Sequence, residues 1–113
     1  MPPTLGDRLS HIEAIEDIQS ILNRKSVTNI SDDRTSRLAL ERLFEIICEA
    51  SRHVPAEIKT KETNIDWQRM TDLGNVLRHA YHLVDVSRLM KIAQADLPPL
   101  KAFVERVLRE EQS

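Results

Sequence analysis

The sequence predicts an all-α protein, an antiparallel bundle of four to five helices in one domain spanning residues 1–113. Three observations carry this. Only two glycines occur in 113 residues. Apolar residues recur at intervals of three and four, and no run alternates apolar with polar for long. β-branched residues are scattered among Leu, Ala, Glu, Arg and Lys, which are good helix formers. The length suits a single core and is too short for two. With 41% hydrophobic and 30% charged residues, the composition is that of a globular chain and argues against disorder.

Each element can be justified in order. Thr4 and Asp7 have the spacing of a capping box, and Leu5, Leu9, Ile12, Ile15, Ile18 and Leu22 then predict a first helix over about residues 5–23. NRKSVTNISDD is a polar break in which Ser31, Asp32 or Asp33 can cap a second helix running to about His53. On that helix Leu40, Leu43, Ile47, Ala50 and Val54 form one stripe. Phe44, Ile46 and Cys48 widen it beyond what one partner helix needs, so the helix is expected to be central or shared with a subunit interface.

Pro55 ends the second helix, and PAEIKTKETNI reads as a connector with room for a short helical turn. Asp66 caps a third helix starting at Trp67. Asp85 caps a fourth through Val86, Leu89, Ile92 and Ala93, after which Asp96, Leu97, Pro98 and Pro99 predict a kink or a restart. Leu100, Phe103, Val104, Val107 and Leu108 give a last amphipathic segment. No repeat or linker separates these pieces.

The formal charge of −2 supplies no global attraction to nucleic acid, so any RNA contact must rest on a local concentration of basic groups. A lone cysteine, Cys48, rules out an intrachain disulfide and fits a reducing compartment. MPPTLGDRLS lacks the features of a signal peptide. No apolar run approaches the roughly 20 residues needed to span a bilayer. A cytoplasmic protein without membrane partners is the expectation.

The chemistry concentrates in LGNVLRHAYH, residues 73–82, where Arg78, His79, Tyr81 and His82 fall within five positions of a chain with four histidines and one tyrosine. At about 100° per residue, Met70, Leu73, Val76, Leu77 and Ala80 share one side of the third helix, and Asp72, Asn75, Arg78, His79 and His82 the other. Asn75 and His79, four apart, share a face, so the amide can fix the imidazole tautomer that a general acid or base needs. The same pattern is compatible with a solvated helix end or an interface.

His79 and His82 have no Glu at the spacing of a zinc motif and no cysteine partner, so neither metal nor cofactor is expected. Cys48, amid Ile46, Ile47 and Ala50, reads as a small buried hydrophobe. The Glu41, Glu45 and Glu49 row reads as a solvated or salt-bridged stripe. His11 and His53 have no companions suggesting more than a surface position.

ERLFEIICEASRHVP, then IDWQRMTDLGNVLRHAYHLVD, then IAQADLPPLKAFVERVL resemble, in order and over nearly the whole chain, the HepT-like family of HEPN proteins. The family's signature helix carries a Trp followed by L-R-N-x-L-x-H-x-Y, and Trp67, Leu73, Asn75, Leu77, His79 and Tyr81 occupy those positions. Gly74 stands where the family has Arg. Cys48 stands where it usually has a small residue such as Gly.

The resemblance implies a HEPN-like bundle and a metal-independent endoribonuclease, the toxin of a toxin–antitoxin pair, with its active-site cleft across a homodimer. The antitoxin would be a minimal nucleotidyltransferase. By position, His79 would serve as general base or acid on the RNA 2′-hydroxyl and leaving oxygen, Asn75 would orient it or contact phosphate, and Tyr81 would receive AMP from the partner.

The family arginine offers a cation to the developing phosphorane charge, and losing such a group costs on the order of a hundredfold in rate. Arg78, Arg69 or a group across the dimer are the candidates to replace it. Glycine at 74 reflects drift, a packing need or an engineered change, and Gly74→Arg is expected to raise activity. The alternatives are a non-catalytic HEPN module that binds a minimal nucleotidyltransferase or nucleotide, and a structural dimeric bundle with solvated histidines.

Overall fold

The computed structural model of the chain describes residues 5–79 and 84–112. These form six helices: α1 (Leu5–Arg24), α2 (Val27–Asp32), α3 (Arg34–Arg52), α4 (Ala56–Lys61), α5 (Trp67–His79) and α6 (Val86–Gln112). No strand occurs among the described residues. Four helices are long, as the apolar spacing predicts, and two are short pieces inside the stretches read as a break and a connector. The Thr4 and Asp7 side chains of the expected capping box lie outside the described residues.

α2 is anchored by Ile30, which is fully buried, and its start is capped by Ser26, whose hydroxyl accepts from the Asn29 amide at 3.1 Å. One buried residue in a polar run leaves no period to read. Of the three candidate caps for the next helix, Asp33 serves: its carboxylate accepts from the Thr35 amide at 3.1 Å. The same carboxylate takes Ser36 Oγ at 2.7 Å and Lys25 Nζ at 2.9 Å. The Ser36 and Lys25 hydrogen bonds pull its pKa down to about 2.

α3 lies between α1 on one side and α5 on the other, while α1 also packs on α6. With α2 also packed on it, these neighbours account for the breadth of its apolar face. Leu40, Phe44, Ile47 and Cys48 are all at or below 2% exposure, so the residues that widened the stripe are used inside the chain. Among the described residues, the large apolar side chains left exposed are Leu38 and Ile58.

α5 starts at a well-built corner. Asp66 caps it, accepting from the Arg69 amide at 2.9 Å. The Trp67 indole N–H donates to the Glu62 carbonyl at 3.2 Å, its ring meets Phe103 of α6 edge-on at 5.7 Å, and Lys59 of α4 sits over it. Glu62 in turn pairs with Arg106 of α6. Indole and ion pair together fix where α5 leaves the connector.

α6 is capped by Asp85, which accepts from the Arg88 amide at 2.8 Å, and it runs on through Pro98 and Pro99. Of the kink or restart expected there, the restart does not occur. The prolines remove the hydrogen bonds to the Gln94 and Ala95 carbonyls, but both residues are exposed, so water can take those carbonyls. Leu89, Ile92, Leu97, Leu100 and Phe103 are buried on both sides of the proline pair, which keeps the two halves packed on one core. Nor can Asp96 cap a new start, since the two amides it would bond belong to Pro98 and Pro99.

Candidate functional site

α5 buries Met70, Leu73, Gly74 and Leu77 and exposes Asn75, Arg78 and His79. Met70, Leu73 and Leu77 fall as the apolar spacing predicts, Val76 is half-buried, Ala80 lies outside the described residues, and Gly74 joins the buried face. There α5 meets α3. A Cβ at position 74 would lie 3.0 Å from the Cβ of Cys48 and 3.7 Å from Nη1 of Arg78. The first distance is tighter than most real Cβ contacts, so α3 would have to give by a few tenths of an ångström. Gly74 has no positive φ, so glycine is present for the close approach of two helices and for no other conformational reason.

Of the three readings of Gly74, the packing need is the one with a visible cause. Gly74→Arg, expected to add a cation, would also press its Cβ on Cys48, which would have to give by a few tenths of an ångström. The two positions at which the chain departs from the resembled pattern are one contact. Cys48 itself is 1% exposed, and burial pushes its thiol up to about 12, which leaves it a packing residue.

Above Gly74 lies Arg78. Its Nη2 donates to Asn75 Oδ1 at 2.6 Å and its Nη1 to Glu49 Oε2 at 3.3 Å, so the guanidinium bridges α5 and α3. The Asn75 amide oxygen, expected to orient His79, serves Arg78 in this arrangement. Glu49 also receives Arg52 Nη1 at 3.0 Å and contacts His53 Nε2 at 3.2 Å. Its carboxyl is held below the usual range, by the His53 hydrogen bond first and then by the Arg52, His53 and Arg78 charges. The salt-bridged reading of the Glu41, Glu45 and Glu49 row is thus met at Glu45, paired with Arg42, and at Glu49.

His79 is exposed and follows Arg78 directly. Tyr81 and His82 lie outside the described residues. Arg69, the other cation weighed as a replacement, is engaged at the far end of α5, with Asp66 at 2.7 Å and Asp96 at 3.5 Å. Ten residues separate it from His79, about 15 Å along a helix. Of the two cations weighed within the chain, Arg78 is the one that lies beside His79.

Glu49 was missed as a site residue. Its place in an i, i+4 acidic row gave it a sufficient local explanation, and its partner Arg78 is 29 positions away. The signal that could have found it is the neighbouring departure at Cys48. Among the described residues no three His, Cys, Asp or Glu side chains converge as a metal site, and no helix is long and apolar enough to cross a membrane.

A separate, mostly apolar pocket is lined by residues of α1, α3, α4 and α6, with His11, Ser51 and His53 among its polar lining. Ser51 spends its hydroxyl on the Ile47 carbonyl at 3.0 Å.

Comparison with known proteins agrees with the motif helix. The profile of the family described as “Ribonuclease HepT-like” matches residues 11–107. A protein of Thermococcus cleftensis named “Probable ribonuclease HepT” is 35% identical over 84% of this chain and 86% of its own length. One of Methanocaldococcus jannaschii named “Putative RNase MJ1380” is 32% identical over 85% of this chain and 88% of its own. No solved structure matches. A match that takes in α3, the Gly74–Cys48 contact and the Asn75, Arg78 and His79 face leaves one assignment: this chain belongs to the HepT-like ribonuclease family.

Proposed function

We propose that the chain is a metal-independent endoribonuclease whose reacting groups are His79 and Arg78. His79 takes the proton from an RNA 2′-hydroxyl, or returns one to the departing 5′-oxygen, as the 2′-oxygen attacks phosphorus. Arg78 offers its guanidinium to the charge that develops on the phosphoryl oxygens. The observation that carries this is the position of Arg78, laid over Gly74 and hydrogen-bonded to Asn75 and Glu49 one residue before His79. Arg52 and His53 add to the basic character around it, the local concentration that an acidic chain needs for RNA.

In this reading the single domain of residues 1–113 works in the cytoplasm as the toxin of a toxin–antitoxin pair. It acts as a homodimer with the cleft between copies, and a minimal nucleotidyltransferase silences it by adding AMP to Tyr81. Family membership and the exposed Leu38 support the dimer; the breadth of α3 no longer does, since α1 and α5 use it. Incubation of the chain with its cognate nucleotidyltransferase and ATP should label Tyr81, and a mass-spectrometric adduct on another residue would refute that part. Cleavage of single-stranded RNA in the presence of chelator, lost in His79→Ala, tests the enzyme.

A second reading has one observation in its favour. Glu49 already neutralises much of Arg78, and position 74 brings no cation, which suits a non-catalytic HEPN module that binds a nucleotidyltransferase or nucleotide. It requires that RNA remain uncut by the parent chain and by Glu49→Gln alike.

A further inference from the structure

We infer that Glu49 is a positioning residue for Arg78. It tethers the guanidinium across Gly74 to α3, so that the donors left over meet a phosphate beside His79 in one fixed orientation. This rests on the ribonuclease reading of the site.

Arg78 is a four-torsion side chain near the described end of α5, and its hydrogen bond to Asn75, three residues back on its own helix, cannot fix it alone. The bond from Nη1 to Glu49 Oε2 at 3.3 Å ties it to a second element. Two different nitrogens are then held by two different helices, which sets the plane of the guanidinium. Nη1 passes 3.7 Å from where a Cβ at position 74 would stand, an ordinary van der Waals distance.

The tether does not follow its load. Glu49 is braced by Arg52 at 3.0 Å and by His53 at 3.2 Å, one turn along α3. Arg78 retains three further N–H donors on a side chain 32% exposed, enough for a two-donor contact with phosphate. The cost is electrostatic. A carboxylate beside the cation opposes an incoming phosphate, so Glu49 should weaken RNA binding while it improves the geometry of reaction. Opposite effects on KM and kcat are the signature of such a device, and a residue that merely supported the fold would not produce them.

The experiment compares Glu49→Ala, Glu49→Gln and Glu49→Asp with the parent on one short single-stranded RNA, with folding checked by circular dichroism. NMR of the Arg78 guanidinium, assigned by its absence in Arg78→Lys, is recorded without RNA. Glu49→Ala should lower kcat about tenfold while KM falls or holds, and Arg78 should gain fast rotation of its Nη groups. Glu49→Gln, which keeps an acceptor without charge, should lower KM and recover most of kcat. Glu49→Asp, one methylene short, should lower kcat without lowering KM.

Unchanged Arg78 resonances in Glu49→Ala, or kcat equal to the parent, would overturn the inference. So would kcat and KM that change only in step with the folded fraction. If no protein in the series cleaves RNA, the ribonuclease reading falls, and the NMR comparison still decides whether Glu49 holds Arg78.

Discussion

Cys48 on α3 and Gly74 on α5 face each other so closely that a Cβ at position 74 would come within 3.0 Å of the Cys48 Cβ. The α3–α5 contact is therefore set by what the two positions carry together. Arg78 lies beside this contact and joins the exposed face of α5 to Glu49 on α3.

Gly74→Ala should destabilise the protein although Ala is the better helix former by about 1 kcal/mol. Overfilling a packed contact costs about 1–3 kcal/mol, so a net loss of about 1 kcal/mol is expected in urea unfolding. Cys48→Ala should not relieve the added cost, because the nearest atom is the Cβ that alanine keeps. Cys48→Gly should, with a coupling of about 1 kcal/mol in the double-mutant cycle. Additive effects would show that the contact yields freely.

Trp67 should contribute more to the start of α5 than its partial exposure suggests. Trp67→Phe removes the donor to the Glu62 carbonyl and should cost about 1 kcal/mol. Trp67→Ala also loses the edge contact with Phe103 and should cost about 3 kcal/mol. Since this is the chain's one tryptophan, unfolding is best followed by circular dichroism. Equal stabilities for Trp67→Phe and Trp67→Ala would mean that the ring contact adds nothing.

The junction of α2 and α3 should weaken in acid. Asp33 has its carboxyl lowered from 3.8 to about 2 by Ser36 and Lys25. A lowered folded-state pKa gives stability that is fully present above the unfolded value and is lost as pH falls through the folded one. The loss attributable to Asp33 thus lies between about pH 4 and pH 2. Asp33→Asn should flatten the stability profile in that window and leave it parallel to the parent above pH 5. An unchanged slope would contradict the Lys25, Asp33 and Ser36 cluster.

How much of this was legible in the sequence follows the range of the forces involved. Asp33, Asp66 and Asp85 could be read as caps because a cap bonds an amide two or three residues away. The buried and exposed faces of α5 followed from its apolar period. α2 escaped because Ile30 is its one buried residue, and Pro98 and Pro99 left a kink or a restart open, of which core packing on both sides removes the restart. His79, Asn75 and Arg78 stood out within one helix turn; family resemblance gave His79 and Asn75 roles and left Arg78 as a candidate substitute for the cation missing at position 74. That Asn75 would serve Arg78, that Glu49 would reach the same guanidinium, and that Cys48 would face Gly74 depend on how α3 and α5 are juxtaposed, which no local spacing encodes.

The most direct measurement is kcat/KM on one single-stranded RNA, with chelator present, for the parent, Arg78→Ala, His79→Ala and Cys48→Gly/Gly74→Arg/Arg78→Ala. The parent should cleave, and each single substitution should lower kcat/KM on the order of a hundredfold. The triple variant, with glycine opposite the new arginine, should recover much of what Arg78→Ala loses. An Arg78→Ala protein that folds and cleaves as well as the parent while His79→Ala is inactive would contradict the claim that Arg78 supplies the cation in place of residue 74.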